Sequence, residues 1–457
     1  MYHPWIPNSD PEIKKSMLEY IGKSFEDLVS DIPEEVRLRR PLKVGFGRPL
    51  SENEIEILID KILSKNKVFI DPPSFLGGGV CMHAIPYVVR YLLLRGEIYT
   101  AYTPYQAEIN QGLMQALFEY QSMLAELYGV DIVNASMYDV STAVAEAFRM
   151  AMRVSKRRGV LVPRIMNPFI ENVVRTWIEP VGGFIIRYEI TESNSIRIID
   201  SVSEKEVGGI YLENPSFLGE VIEKPEIIGE YARDKKMLFI VNAEPLSLGI
   251  LKPPGEYGAD IIVGNGASLG VGLNYGGPSL GILGIRMDQE LLRQLPGRLI
   301  GFTREADGSG KGFAMILQTR EQHIRRERAT SNITTNSALE AFAAAVYLSY
   351  IGDKGLRRLG ESILRRTAYL RERIESDLRD RAEIASKARL FFREIPVRFL
   401  RRDYREISRE LIERGIHGGF YIGDLISGIG NTSLFCVTEM HSRDHIDLLI
   451  RSLREVA

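Results

Sequence analysis

The chain has 457 residues, of which 45% are hydrophobic and 26% are charged, proportions typical of a soluble globular protein. Its 58 Lys and Arg residues against 60 Asp and Glu give a net charge near zero, which argues against nucleic acid as the main partner. Arg90 and Arg95 interrupt the longest apolar runs, so no membrane-spanning segment is expected. Two cysteines far apart in sequence, Cys81 and Cys436, predict reduced thiols in a cytoplasmic protein.

Residues 1–70 are predicted to form an N-terminal helical arm. Ser51 and Glu54 have the spacing of a capping box, in which each side chain bonds the backbone amide of the other residue. Apolar residues then recur at helical spacing from Ile55 to Leu63, which predicts a helix that begins at this box. Residues 75–106 are rich in glycine and aromatic side chains and predict no regular structure.

Helices and short apolar strands alternate between residues 111 and 285. The predicted strands are apolar runs at residues 160–162, 184–188, 209–212, 237–241, 259–263 and 280–285. The predicted helices lie at residues 111–128, 141–154, 169–178 and 225–233. Because continuous apolar strands interleaved with helices are buried on both faces, the pattern predicts an α/β fold with a largely parallel sheet.

The last third of the chain begins with a long polar stretch, residues 296–332, of a kind that is more often functional than idle. Helical periodicity returns at about Thr334, and short apolar runs near Phe391, Ile395 and Leu434 predict strands. This part is predicted to form a smaller C-terminal α/β domain.

The strand at residues 259–263 is followed by a glycine-rich stretch that contains Gly264, Gly266 and Gly270 around Ser268. Its GxGxxxG spacing is one residue longer than the dinucleotide-binding fingerprint. More glycines follow where that fingerprint requires a helix. A nucleotide site of the Rossmann type is therefore disfavoured.

Two further segments are candidate binding surfaces. Residues 97–106 hold three tyrosines, two threonines and a glutamine, which suits a wall against an aromatic ligand or, alternatively, an interface belt that touches no ligand. Residues 318–332 combine arginines with hydroxyl side chains, which suits a carboxylate or a phosphate. The alternative for this second segment is a solvated charged loop.

Four histidines are candidate functional groups. His83 and His323 lie in the two irregular stretches and are either site residues or hydrogen-bonded structural histidines. His441 and His445 are four residues apart, as metal ligands on a helix can be. No third ligand is evident near them, so the prediction is a pair of solvated surface histidines.

Eight longer motifs occur in order along the chain: FLGGG with a following His and Pro, TAYTPYQAEINQG, NASMYD with STA and AEA, LKPPGEYGADIIVG, GGPSLGILG, PGRLIGFT, TREQHIRRERATSN and CVTE. Together they resemble the N-terminal, or alpha (subunit 1), half of the glycine cleavage system P-protein family, from about Arg40 to the C-terminus. The resemblance implies the fold type I architecture of pyridoxal-phosphate (PLP)-dependent transferases. A large domain at residues 71–332 would contain a degenerate cofactor site, and a small domain would follow at residues 333–457.

The same resemblance implies a two-subunit enzyme, because the family occurs either as one fused chain or as two chains and this chain has the length of one half. The partner would be a beta subunit of the same fold that carries PLP, in an α2β2 assembly. The reaction would be decarboxylation of glycine with transfer of the aminomethyl group to the lipoylated H-protein.

Three positions, compared with fold type I enzymes, predict that this chain itself holds no covalently bound PLP. Ser268 falls where those enzymes carry the Schiff-base lysine, and a hydroxyl cannot form an imine. Asn242 replaces the aspartate that keeps the pyridine nitrogen protonated. Tyr138 and Asp139 precede the helix whose N-terminus would hold the phosphate, and a bulky and a negative side chain suit that role poorly.

Because fold type I active sites lie at a dimer interface, this chain is predicted to complete the site of its partner. The residues predicted to be contributed are Tyr102, Thr103, Tyr105, Gln106, Thr330, Ser331 and Asn332, with His83 and His323 as weaker candidates. One alternative is a purely structural or regulatory subunit with no active-site residues. The other is a self-sufficient PLP enzyme that uses a different lysine, such as Lys252 or Lys311.

Overall fold

A computed structural model describes residues 5–6, 8–40, 45–101, 104–191, 195–200, 203–318, 321–333 and 337–457. Contacts within the chain group it into two compact units, Met1–Val68 and Phe69–Ala457. The further division of the second unit at residue 332 into a large and a small domain stays a prediction. No helix of the described ranges has the length and apolar character needed to cross a membrane.

The first unit is helical, as its sequence predicts. It contains α1 (Pro11–Ile21), α2 (Phe25–Leu28) and α3 (Glu52–Leu63). The capping box at the start of α3 is confirmed, because Ser51 accepts the Glu54 amide and Glu54 accepts the Ser51 amide. Apolar side chains of α3, including Ile59 and Ile62, are exposed.

The prediction that residues 75–106 lack regular structure is wrong. They contain α4 (Tyr87–Leu93) and α5 (Gly96–Tyr99), which are followed by the predicted helix α6 (Gln111–Tyr128). Val89 of α4 is fully buried, and Val88 and Leu93 pack against the same core. Short helices of this kind depend on packing rather than on their own periodicity, so the sequence pattern missed them.

The described chain places eight strands in the large sheet: β1 (Ile132–Val133), β2 (Gly159–Pro163), β3 (Phe184–Ile190), β4 (Ile196–Ile198), β5 (Val207–Glu213), β6 (Leu238–Asn242), β7 (Ile261–Asn265) and β8 (Gly281–Ile285). Their order is β1-β8-β7-β6-β5-β2-β3-β4. The strands β7, β6, β5, β2 and β3 are mutually parallel. In contrast, β8 is antiparallel to both β7 and β1, and β4 is antiparallel to β3. The predicted α/β fold with a mostly parallel sheet is confirmed.

Helices cover the sheet on both faces. On one face, α6 and α9 (Glu226–Asp234) contribute to one hydrophobic cluster. On the other face, a second cluster contains buried residues of α7 (Val140–Ser155), α8 (Pro168–Ile178) and the short α10 (Gln289–Gln294). Every residue of β5 is buried, as expected for a strand with helices on both sides. Gly264 of β7 permits close packing, because a Cβ there would lie 2.1 Å from the Tyr128 hydroxyl of α6.

Residues 296–332 are not one long loop, as the sequence suggested. They contain an antiparallel hairpin of β9 (Ile300–Arg304) and β10 (Lys311–Met315), followed by the short α11 (Gln322–Arg325). Phe302 and Phe313 form a cross-strand aromatic pair that packs on Phe118 of α6. The intervening charged and glycine residues hid this alternation in the sequence.

The C-terminal part begins with α12 (Ala338–Asp377), which is broken at Gly352, where φ is 62°. It continues with β11 (Ala382–Ile384), β12 (Glu394–Phe399), α13 (Tyr404–Glu413), β13 (Phe420–Tyr421), β14 (Thr432–Cys436) and α14 (Arg443–Val456). The strands pair in the order β11-β12-β14-β13, all antiparallel. The run near Phe391 is not a strand but a single bridge to Glu220.

Candidate functional site

Ser268 lies in a single helical turn that follows β7, beside a cavity of about 210 Å³. Glu244, two residues after β6, and Asn265, the last residue of β7, line the same cavity at the carboxyl ends of these parallel strands. His83 comes from the segment before α4, and Arg393 comes from just before β12. In open α/β sheets, ligands bind at this edge. Ser268 therefore lies at the edge of the sheet where such folds bind ligands.

The hydroxyl of Ser268 forms a hydrogen bond with a carboxylate. Its Oγ donates to Oε1 of Glu244 at 2.8 Å, and Arg393 donates to Oε2 of the same group at 3.0 Å. The Glu244 and Arg393 side chains are only 10% and 14% exposed, so this ion pair is largely removed from water. The backbone amide of Leu246 gives Glu244 a third donor. Each oxygen of the carboxylate thus has a partner within this chain.

The polar chain continues from Arg393 to His83. The guanidinium lies 3.4 Å from Nε2 of His83, whose Nδ1 lies 3.0 Å from Glu439. Burial raises the pKa of Glu439, but the hydrogen bonds from His83 and from the Ala84 amide outweigh it, so its pKa lies below the usual value. Ser268, Glu244, Arg393, His83 and Glu439 form one continuous set of polar contacts, called the polar chain below.

The sequence analysis missed three members of the polar chain, namely Glu244, Arg393 and Glu439. Glu439 closes the CVTE motif, so that motif was a usable signal for it. Arg393 stands far from the others in sequence, in a left-handed backbone conformation with φ of 69°, and no local pattern marks it. His83 lines the cavity of this chain, and its predicted contribution to the partner's site stays a prediction.

Asn242, at the end of β6, is engaged by neighbouring strands. Its amide donates to the Tyr211 hydroxyl at 3.1 Å, and that hydroxyl donates to Glu213 at 3.1 Å. The amides of Asn167 and Phe217 also donate to Glu213. Burial is the main reason that the pKa of Glu213 is raised to about 7. The side-chain amide of Asn242 therefore already has a hydrogen-bond partner, Tyr211.

Asp139 caps the helix that follows it. Its carboxylate accepts the Thr142 amide at 2.9 Å, and Thr142 reaches back to the Asp139 amide, which completes a capping box at the start of α7. An amide at this helix N-terminus, where an anion would otherwise bind, is thus satisfied by a negative side chain of the same chain.

The residues around the cavity do not fit a covalently held PLP. An imine requires a primary amine, and the described residues that line the cavity include no lysine. Lys252 and Lys311, which the sequence left as alternatives, are both exposed and do not line it. The hydroxyl at position 268, the amide at 242 and the carboxylate at 139 all have partners within the chain.

The tyrosine-rich segment is divided between the interior and the surface. Tyr105 is buried, with the Arg298 guanidinium 5.1 Å from the centre of its ring, and Arg298 also pairs with Glu321 at 2.9 Å. Gln106, the next residue, is exposed. Tyr102 and Thr103 lie outside the described residues. One face of Tyr105 is therefore occupied by a cation of its own chain, and Gln106 points outward.

Residues 330–332 are similarly divided. The Ser331 hydroxyl donates to the buried Glu146 of α7, and the Thr330 carbonyl accepts from Arg153 at 3.1 Å. Burial raises the pKa of Glu146 despite these neighbours. Asn332 is exposed. The first two residues anchor the segment to α7, and the third is free to face a partner.

The other candidate histidines have structural environments. His323 is partly exposed on α11, 3.5 Å from Glu321, and is not brought to the cavity. His441 is fully buried, which makes the prediction of a surface histidine wrong. Its Nδ1 accepts the Thr438 amide, its Nε2 donates to the Ser74 carbonyl, and burial lowers its pKa to about 4. No cluster that could hold a metal ion occurs among the described residues.

Comparisons with known proteins bear on the family of the chain. The sequence profile of the glycine cleavage system P-protein matches residues 3–453. A protein of Staphylothermus marinus named "Probable glycine dehydrogenase (decarboxylating) subunit 1" is 46% identical over 469 residues, which cover 99% of this chain and 98% of the relative. A protein of the same name from Sulfurisphaera tokodaii is 46% identical over 461 residues, with 99% of each chain covered.

Solved structures extend the same relationship. The inhibitor-bound crystal structure of glycine decarboxylase (P-protein) of the glycine cleavage system matches with a TM-score of 0.86 and 39% identity over the full length of both chains. A glutamate decarboxylase from Lactobacillus brevis matches with a TM-score of 0.63 and 12% identity over 93% of this chain and 96% of its own, which shows the fold alone. The chain has the fold type I architecture of PLP-dependent enzymes and belongs to the glycine cleavage system P-protein family.

Proposed function

We propose that this chain acts as subunit 1 of a two-subunit glycine dehydrogenase (decarboxylating) and carries no covalently bound PLP of its own. The names of its full-length relatives and the match to the P-protein structure support the activity. The observation that carries the cofactor assignment is the Ser268 hydroxyl, which donates to Glu244 at the position where a Schiff-base lysine would be needed.

The partner in this proposal is a beta subunit of the same fold that holds PLP. Glycine is the substrate of the assembled α2β2 enzyme, lipoylated H-protein takes the aminomethyl group, and the complex works in the cytoplasm. This chain completes the partner's site with its outward-facing residues. Gln106 and Asn332 are exposed members of the two predicted segments.

The face that receives the partner includes one side of α4. Tyr87, Tyr91 and Leu94 follow one another at helical spacing and are 87%, 63% and 77% exposed. Val89 on the opposite side of the helix is buried against the core. Aromatic side chains exposed in a row are typical of protein interfaces, where Tyr contributes large contact area. Removal of these side chains from water would favour association.

The two alternatives make different demands on the structure. A self-sufficient PLP enzyme would need a lysine at the cavity, and the exposed positions of Lys252 and Lys311 argue against it. A purely structural subunit would place no residue in the partner's site. The effect of outward-facing residues on catalysis separates it from the main proposal.

The cofactor assignment is tested by co-expression with the partner subunit and reduction of the complex with borohydride, which fixes any PLP imine to its lysine. Mass spectrometry of the separated subunits should find pyridoxyl lysine in the partner only. A pyridoxyl adduct on this chain in stoichiometric amount would overturn the proposal.

The shared site is tested with Gln106→Ala in the reconstituted complex. Loss of one polar contact to the reacting groups should lower glycine decarboxylation by about tenfold. Gln115→Ala is the matched control, because Gln115 is also exposed but bonds Glu119 on its own helix. Equal activity of both variants in intact complexes would favour the purely structural subunit.

A further inference from the structure

The chain has only two cysteines, and the structure brings them together. Cys436 ends β14, whereas Cys81 lies in the segment before α4, and the two sulfurs are 2.7 Å apart as free thiols. Both residues are buried, with exposures of 6% for Cys81 and 1% for Cys436. Random placement of two cysteines separated by 355 residues would not pair them in this way.

The backbone holds this pair in place on both sides. The Cys436 amide donates to the Phe75 carbonyl at 2.8 Å, and an antiparallel bridge joins Leu76 to Phe435. On the other side, the Thr438 hydroxyl donates to the carbonyl of Met82, the residue next to Cys81, at 2.6 Å. The segment that carries Cys81 is thus fixed along β14 before any covalent bond forms.

The surroundings also give the pair an access route. Cys81 lines the same cavity of about 210 Å³ as Ser268 and Arg393, whereas Cys436 lies behind it in the strand. A small molecule that enters the cavity would meet Cys81 first. The cavity therefore offers space for a reaction at the Cys81 sulfur, and the Cys436 sulfur is in contact with it.

We propose that Cys81 and Cys436 form a reversible disulfide by exchange with a low-molecular-weight disulfide that enters this cavity. The thiolate of Cys81 attacks one sulfur of the small disulfide, which forms a mixed disulfide and releases one thiolate. The thiolate of Cys436 then attacks the sulfur of Cys81, and the second small thiolate leaves. The two protons of the cysteines pass through water to the two released thiolates, so two cysteines are oxidised and one disulfide is reduced.

The bond would close a loop between residues 355 positions apart. Such a long loop removes much of the conformational freedom of the unfolded chain, so the oxidised protein should resist unfolding more than the reduced one. It would also fix the segment that carries His83 to the strand that leads to Glu439. The His83–Glu439 contact, 3.0 Å in length, would then be held by a covalent tether as well as by charge.

The test exposes the native full-length chain to buffers with increasing ratios of oxidised to reduced dithiothreitol. Samples are quenched in acid, unfolded in denaturant, and alkylated with a maleimide before intact-mass measurement. Because the chain has two cysteines, the reduced protein carries two labels and the disulfide form carries none. The expected result is a transition from two labels to none, reversed by added dithiol.

The single variants Cys81→Ser and Cys436→Ser are matched controls, since each keeps one thiol and should show one label at every ratio. The wild-type measurement stands without them if either variant fails to fold. Two labels on the native wild-type chain at every ratio would overturn the proposal. A bond between two chains, seen as a doubled mass without reductant, would overturn it equally.

Thermal unfolding gives an independent readout. The oxidised chain should melt roughly 5 °C above the reduced chain, because the cross-link acts on a loop of most of the protein. The difference should vanish when dithiol is added and should be missing in both single variants. Equal melting temperatures of the fully oxidised and fully reduced wild-type chain would contradict the proposed constraint.

Discussion

The cavity beside Ser268 and the outer face of α4 differ in how far their side chains are paired or buried within the chain. In the cavity, Ser268, Glu244 and Arg393 satisfy one another's hydrogen bonds and charges at distances of 2.8 and 3.0 Å. On α4, Tyr87 and Tyr91 are exposed to solvent. A site whose polar groups are paired internally offers a ligand little, whereas exposed apolar area remains available to a partner.

Replacements in the two regions should have different effects on the free energy of unfolding. Removal of one partner from a buried ion pair leaves an uncompensated charge, which is strongly destabilising. Removal of an exposed side chain changes the free energy of unfolding little until a partner covers it. Single replacements should therefore affect stability in the cavity and affinity on α4.

The largest effect is expected from Arg393→Met, which leaves the Glu244 carboxylate buried without its cation. The free energy of unfolding should fall by about 3–5 kcal/mol, measured by urea denaturation. Arg401→Met is the control, because Arg401 pairs with Asp380 at the surface and its loss should cost at most about 1 kcal/mol. Equal losses in the two variants would show that the polar chain is not the stabilising element.

The next effect concerns His441, which lies buried beside the segment that leads into the cavity. Its folded pKa of about 4 lies below the usual histidine pKa of 6.5. Between these values the unfolded chain binds a proton that the folded chain excludes, so stability is full above pH 6.5 and falls as the pH drops toward 4. The loss due to this group should reach about 3 kcal/mol.

The contribution of His441 is isolated by the difference between wild type and His441→Asn, measured by urea denaturation at several pH values. Burial of Glu213, with a folded pKa of about 7, acts in the opposite direction, since its stabilising proton is lost as the pH rises toward 7. That contribution is present in both proteins and cancels. Parallel pH profiles of the two proteins would contradict the assignment.

On the outer face, Tyr87→Ser and Tyr91→Ser should each weaken association with the partner subunit by about 5- to 30-fold, because a buried interface tyrosine typically contributes about 1–2 kcal/mol. The free energy of unfolding of the isolated chain should change by no more than about 0.5 kcal/mol. Affinity is measured by titration of the partner. Val181→Ser, an exposed apolar position after α8, should leave affinity unchanged and serves as control.

The smallest effect compares two neighbours on one segment. Ser331→Ala removes a hydrogen bond to the buried Glu146 and should lower the free energy of unfolding by about 1–2 kcal/mol. Asn332→Ala, at an exposed position, should change it by no more than about 0.5 kcal/mol. In the reconstituted complex the order should reverse, and Asn332→Ala should lower decarboxylation more. The same loss of activity in both variants would remove the distinction between inner and outer residues.

Local patterns predicted six of the eight strands that the described residues contribute to the large sheet, whereas the short β1 and β4 were not predicted. Apolar runs such as residues 237–241 and 259–263 become β6 and β7, which places Ser268 at the carboxyl edge. The short helices and the hairpin at residues 300–315 were missed, because packing rather than periodicity stabilises them; the hairpin packs on α6.

The candidate site was harder to predict than the fold. Arg393 reaches Glu244 from a distant part of the chain, and only the folded structure joins them. The burial of His441 depends in the same way on Ser74, which is remote in sequence. Sequence spacing identifies what a residue can do, whereas long-range packing decides which residues meet.

The carboxylate of Asp139 at the start of α7 has a consequence for the history of this subunit. A lysine restored at position 268 would still face a helix end closed by negative charge and a strand end that carries an amide. Recovery of a cofactor site would require coordinated changes on three separate elements, each useless without the others. In the proposed two-subunit enzyme, the loss of a cofactor site from this chain would therefore be difficult to reverse.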